Sequence, residues 1–291
     1  MVDLPTVSII VPAYNAENTI AECIASLLAL DYPGRLRELL VVNNASTDAT
    51  GQVLKQFGSE IVSLSEVKRG PSAARNRGLR AARREVVAFT DADCVVDRGW
   101  LRSIVLPLRD QRVGVVGGRT LARRPCNEIE AYGERIHDQG RSINEFTPPY
   151  VSTANWSSRL SLLKDVGLFD EALTRGEDVD LSWRILQLGY RLVYEPDAVI
   201  YHRHERSLSG LFQEGYLHGY HAPRIHKKHR ALLGRFGIRR WRAGGHLVVL
   251  RSVVDYIMGR DPTRSICHAM FNLGKRIGKL VGSVRWGYPE L

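Results

Sequence analysis

At 291 residues, with 44% hydrophobic and 25% charged content and a formal charge of +10, the chain holds enough apolar sequence for one large core or a domain with an appendage, which excludes the disordered and collagen-like classes. Cys23, Cys94, Cys126 and Cys267 are too scattered for a zinc site or a small disulfide framework, and read as reduced thiols of a cytosolic protein. Residues 203–291 carry 17 Lys and Arg against 5 Asp and Glu, while residues 1–202 carry 24 against 26, so the basic final third expects an acidic partner.

The start, MVDLPTVSIIVP, has neither a basic leader nor a cleavage site, and no run reaches the length of a clean membrane span. VSIIV at 7–11 is a β-branched apolar run of the kind buried on both faces of a parallel sheet. Capping-type residues at 15–18 precede Ile20, Ile24, Leu27 and Leu28 at helical spacing. LLVVN at 39–43 is a second strand and IVSLS at 61–65 a third, each followed by a turn and a helical segment, and VVAFT at 86–90 is a fourth strand. Repeated βα units imply a doubly wound, Rossmann-like, mostly parallel α/β sheet with helices on both faces and a ligand site at the strand carboxyl ends.

Past residue 112 the pattern loosens. Residues 113–118 read as a strand and the polar stretch 119–150 as long loops or a lid. A short strand and helix follow from residue 152, a capped helix from 176, and two strands at 191–194 and 198–201. Beyond His202 the texture becomes helical, basic and aromatic, which predicts a catalytic domain over 1–202 and a helical C-terminal region over 203–291.

At the fourth strand's end, Asp91-Ala92-Asp93 puts two carboxylates on one side if the backbone stays extended, an arrangement suited to a hard divalent cation. Taken alone, the same residues suit an Asp-rich turn. PAYNAEN after the first strand replaces any phosphate-cradling glycine loop, so dinucleotide and P-loop sites are not expected.

VSIIVPAYNAENTI, VVNNASTDAT, GPSAARNRGL, FTDAD, ANWSSRLSLLKDVGLFDE, GEDVDLSWRILQLGYR and EPDAVIYH follow one another over residues 6–202. In that order they resemble the family 2 glycosyltransferases of the GT-A fold. The resemblance implies an inverting, metal-assisted transfer from a nucleoside diphosphate sugar, a UDP-sugar first, to a glycan, lipid-linked or other hydroxyl acceptor. It implies that Pro12, Ala13, Tyr14 and Glu17 border the nucleoside, Tyr14 having packing as its other reading. Asn44 reads the base edge, Asn43 departing from the acidic residue usual there, while Ser46, Thr47 and Asp48 cap a helix. Arg75 lies by the base or diphosphate. Asp91 lies on the ribose side, Ala92 is among the donor-binding residues, and Asp93, with Asp91 and His202, holds Mn²⁺ or Mg²⁺. Asp178 is the base, Glu177 shapes the site, and Asp180, Asn155 and Trp156 face the acceptor, Trp156 as a sugar platform. The Gln-x-x-Arg-Trp signature of processive synthases is missing from this chain, which implies transfer of one or a few sugars. A degenerate, membrane-associated binding protein on the same fold is the alternative.

In the tail, HLVVLRSVVDYIM and CHAMFNLGKRIGKLVGSV mix apolar and basic residues at near-helical spacing. Such helices either lie on an anionic membrane or pack on the catalytic domain with their charges in water. The expected location is the cytoplasm, including the inner face of the cell membrane, and nucleic acid is not an expected partner because no reading module occurs.

Overall fold

A computed structural model of the chain describes residues 4–237 and 244–289. Residues 1–3 of the expected leaderless start, and 238–243 and 290–291 of the expected basic tail, lie outside the described residues. Eight strands form one sheet: β1 (Val7–Ala13), β2 (Arg37–Asn44), β3 (Val62–Glu66), β4 (Val86–Thr90), β5 (Val95–Val96), β6 (Val113–Ala122), β7 (Asn155–Arg159) and β8 (Arg191–His202), in spatial order β3-β2-β1-β4-β7-β6-β8-β5. β1 to β4 are mutually parallel where they pair, and β7 runs antiparallel between β4 and β6. Alternation along the strands feeds two apolar layers. Ile9, Val11, Val86 and Ala88 face helices α1 (Ile20–Leu28) and α4 (Trp100–Val105), beyond the short α2 (Thr50–Lys55). Ile10, Val87 and Phe89 face α3 (Pro71–Ala81), α7 (Leu160–Val166) and α8 (Glu177–Gln187). Burial on both faces is why these strands read as unbroken apolar runs.

Two expectations need correction. The stretch 119–150 is not long loops: β6 continues to Ala122, and two helices follow, α5 (Glu128–Ile136) and α6 (Gln139–Asn144). Asn127 accepts a hydrogen bond from the Glu130 N–H and Asp138 one from the Arg141 N–H, so each helix start has a side-chain cap. The two strands expected at 191–194 and 198–201 are one, β8. Pro196 lies inside it, before the stretch in which β5 pairs with Ile200 and Tyr201.

The chain divides into two compact units, residues 1–121 with 138–202, and residues 122–137 with 203–291. The second therefore takes in α5, which a division at 202/203 gives to the first. It contains α9 (Leu208–Lys228), α10 (Arg230–Arg235), α11 (Gly244–Ile257) and α12 (Pro262–Trp286). α9 and α12 run side by side in the same direction, and a Cβ at Gly215, Gly219, Gly274, Gly278 or Gly282 would overlap backbone of the facing helix. Small residues every fourth position let the two backbones touch. Gly278→Ala is expected to destabilise by about 1–3 kcal/mol, since the Tyr216 carbonyl cannot move aside as a side chain tip would. Gly234→Ala, on α10 with open space at its Cβ, should be neutral or stabilise by up to ~1 kcal/mol. Equal midpoints for both variants in urea unfolding would remove the close-packing account.

His229 is buried where α9 meets α10, and His218 faces Glu214 at 3.8 Å. His204 is buried and stacked on His137 at 5.0 Å.

Candidate active site

The extended D-x-D clamp is not what forms at the end of β4. The strand stops at Thr90, and the Cys94 N–H donates to the Asp91 carbonyl at 3.1 Å, closing a turn. The two carboxylates consequently take different partners. Asp91 Oδ1 accepts from Arg75 Nη2 at 2.9 Å, while Asp93 Oδ2 lies 3.5 Å from His202 Nε2 at the end of β8. Ala92 packs into the core layer under α1 and presents nothing polar.

Arg75 is buried on α3 and its other arm, Nη1, donates to Glu177 Oε1 at 2.8 Å. One guanidinium thus joins the turn after β4 to the first turn of α8. Both terminal nitrogens of Arg75 therefore bond carboxylates, and its Nε is buried without a partner. Asp91 and Glu177 keep the guanidinium charged against the pull of burial. Burial, then the neighbouring Asp178 charge, push the Glu177 carboxyl up to about 7 despite Arg75. Asp178 is half-buried, and its Oδ1 accepts from the Val179 N–H at 2.8 Å. Burial and then Asp178 also raise the Tyr150 hydroxyl.

Burial lifts the Asp93 carboxyl above its ordinary range, with His202 pulling back and Asp91 adding to the rise. Asp93, Cys94 and His202 offer ligand atoms all within 4.8 Å of one another. Cys94 was not foreseen, and burial holds its thiol well above the usual range, so it stays protonated and suits a hard cation poorly. A carboxylate and an imidazole suit Mn²⁺ or Mg²⁺ better. Asp91, Asp93, Glu177 and Asp178 act on one another or on Arg75, and that excess of negative charge is what a divalent cation would offset. The donor set therefore fits such an ion.

The loops after β1 and β2 are stitched together. Asn15, in the left-handed region at φ 48°, accepts from the Thr47 N–H at 2.9 Å, and its own N–H donates to Ser46 Oγ at 3.1 Å. Ser46 and Thr47 are therefore loop ties, and only Asp48 bonds the start of α2, through the Thr50 N–H. Glu17 accepts from the Ala49 N–H at 2.8 Å. Asn44 is buried, its amide donating to the Glu66 and Lys68 carbonyls and accepting from the Gly70 N–H. Its polar groups hold the loop before α3, which replaces the expected reading of a base edge. Tyr14 is exposed beside half-buried Pro12 and buried Ala13, with the Arg69 guanidinium 5.4 Å from its ring centre.

None of the three residues expected to face the acceptor does so. Trp156 is wholly buried at 5.3 Å from the Phe89 ring and can offer no face to a sugar, because β7 is enclosed between β4 and β6. Asn155 is equally buried: it accepts from Trp100 Nε1 and donates to the Arg119 and Ala198 carbonyls, tying strands together. Asp180 is buried against Arg184 at 2.9 Å, whose guanidinium reaches the Val166 and Leu168 carbonyls and so fixes α8 to the end of α7.

Residues 8–167 match the family model described as glycosyl transferase family 2. The chain is 33% identical over 212 residues to the pre-mycofactocin glycosyltransferase of Mycobacterium tuberculosis (strain ATCC 25618 / H37Rv), covering 69% of this chain and 43% of that one. It is 31% identical over 203 residues to glycosyltransferase AglE of Haloferax volcanii, covering 67% and 66%. Among solved structures it is similar to mannosyltransferase PcManGT from Pyrobaculum calidifontis in complex with GDP-Man and Mn²⁺, with a TM-score of 0.64 at 21% identity over 96% of this chain and 88% of that one. It is likewise similar to S. aureus TarS 1–349 in complex with UDP-GlcNAc, with a TM-score of 0.56 at 19% identity over 97% and 92%. The sheet and its helices are those of the GT-A fold.

Proposed function

This chain belongs to glycosyl transferase family 2, and from that premise we propose that it moves a sugar from a nucleoside diphosphate sugar to an acceptor hydroxyl with inversion at the anomeric carbon. One juxtaposition carries the reading: Asp93 beside His202, next to a turn whose Asp91 is joined through Arg75 to Glu177 at the start of α8. The nucleoside lies along the ends of β1 and β2, with the backbone at Pro12 and Ala13 and the exposed ring of Tyr14 bordering base and ribose, and Asp91 on the ribose side. Asp93 and His202 hold Mn²⁺ or Mg²⁺, which when bound supplies Lewis-acid neutralisation of the diphosphate leaving group. Asp178 accepts the proton of the attacking hydroxyl at its carboxylate, and attack from the side opposite the leaving group inverts the sugar. Glu177 and Arg75 position this pair of sites. The acceptor is a glycan or a lipid-linked hydroxyl, and transfer stops after one or a few sugars.

UDP is the first nucleotide to test and GDP the second, since the neighbouring structures carry UDP-GlcNAc and GDP-Man. In a thermal shift assay with Mn²⁺, nucleotide at about 100 times its Kd should add about 2.7 kcal/mol of stability, a rise of several degrees that Asp93→Ala removes. No stabilisation by either nucleotide, or an equal rise in Asp93→Ala, would count against the donor site. Stabilisation without transfer to any acceptor would leave only binding.

A further inference from the structure

The helical unit carries a surface that sugar transfer leaves unused. On α11, Leu250, Val253, Val254 and Ile257 recur at helical spacing, followed by Met258 just past its end, and all are exposed, Ile257 at 76%, while Ser252 on the opposite side is buried. Over residues 249–257 the helix thus turns an apolar side outward, the reverse of an ordinary surface helix. α12, which packs against α11, adds a second exposed row of Leu273, Ile277, Leu280, Val281 and Val284, the last at 86%. Single exposed apolar residues need no explanation, but two continuous rows on paired helices mark a contact surface.

The charges around the rows identify what it contacts. Residues 244–289 hold seven Lys and Arg against two acids. Asp255 lies within 4.0 Å of Arg251 and 3.6 Å of Arg260, and Asp261 accepts from the Arg264 N–H as the cap of α12, so both acids are engaged locally. At about 100° per residue, Arg251 borders the α11 row and Arg276 the α12 row. Two copies of the chain meeting through this face would bring like charges together. An anionic lipid surface would not, and no helix among the described residues is long and apolar enough to cross a membrane.

We propose that α11 and α12 dock this face in the plane of an anionic lipid bilayer, with the apolar rows in the acyl boundary and the flanking Arg and Lys at the head-group phosphates. The proposal stands apart from the donor site, because nucleotide stabilisation tests one and vesicle binding the other.

The full chain is sedimented with vesicles of phosphatidylcholine alone and of phosphatidylcholine mixed equally with phosphatidylglycerol. Partitioning should be at least about tenfold greater on the anionic vesicles and fall on raising the salt from about 0.1 to 0.5 M. The double variant Ile257→Glu with Val284→Glu, at two exposed positions, should lose about tenfold in binding while keeping its thermal midpoint. Leu188→Glu, an exposed apolar position in the other unit, should bind as the unaltered chain does. Equal binding to neutral and anionic vesicles, no binding, or indifference to the double variant would each overturn the proposal. So would a salt-stable dimer in light scattering that the double variant dissociates, which would make a second copy the occupant.

Discussion

Asp178→Asn is expected to lower sugar transfer by about 10²–10⁴-fold, the usual contribution of a positioned general base, while nucleotide-dependent thermal stabilisation persists. The amide keeps the carbonyl oxygen that accepts from the Val179 N–H but cannot take the acceptor's proton. Its rival as base is Glu177, whose carboxyl titrates at about 7 and on that ground alone would suit the task. Geometry favours Asp178: Glu177 is buried and its Oε1 is bonded to Arg75, whereas Asp178 on the same helical turn is half-buried. Removing the Asp178 charge also removes one of the causes that raise Glu177. If Glu177 retains any role in the residual rate, the acid limb of the Asp178→Asn profile should therefore move to lower pH. Full activity in Asp178→Asn, or a larger loss in Glu177→Gln, would transfer the role.

The parts of the fold legible in the sequence were those where one physical signal dominates. The runs 7–11, 39–43 and 86–90 are buried on both faces and uninterrupted, so composition alone marks them as strands. β8 reads as two strands because Glu195, Pro196 and Asp197 resemble a turn, whereas the backbone stays extended through them. α5 and α6 were missed because their start signals, Asn127 and Asp138, sit in a polar stretch where a capping residue and a loop residue look alike.

At the candidate site the sequence supplied residues but not partners. Arg75 stands 16 residues from Asp91 and 102 from Glu177, and no local pattern encodes either bond. An extended strand would put Asp91 and Asp93 on one side, but a strand that ends at Thr90 sends them to Arg75 and His202 respectively. Asn44, Asn155 and Trp156 failed for a shared reason. Their residue types suit ligand contact and interior packing equally, and burial between strands is a property of topology that a single strand's sequence does not contain.

Arg75→Met should destabilise the protein by about 3–5 kcal/mol, because removing one partner of a buried ion pair leaves uncompensated charge behind. Met approximates the stem's volume, so most of the loss is electrostatic, and that makes it dependent on pH. In the unaltered protein the folded Glu177 carboxyl lies at about 7, above its ordinary 4.5. Its proton therefore favours the folded state below about pH 4.5, and that contribution is lost as pH rises through about 7. Without Arg75 nothing opposes burial and Asp178, so Glu177 titrates higher still and the loss on ionisation deepens. Urea unfolding should accordingly find the variant more destabilised at about pH 8 than at about pH 5. Arg75→Lys should fall between the two proteins, since one ammonium cannot reach Asp91 and Glu177 in two directions as the planar fork does. An equal deficit at both pH values would mean that Arg75 acts instead by packing, through the Phe169 ring whose centre lies 5.9 Å from its guanidinium.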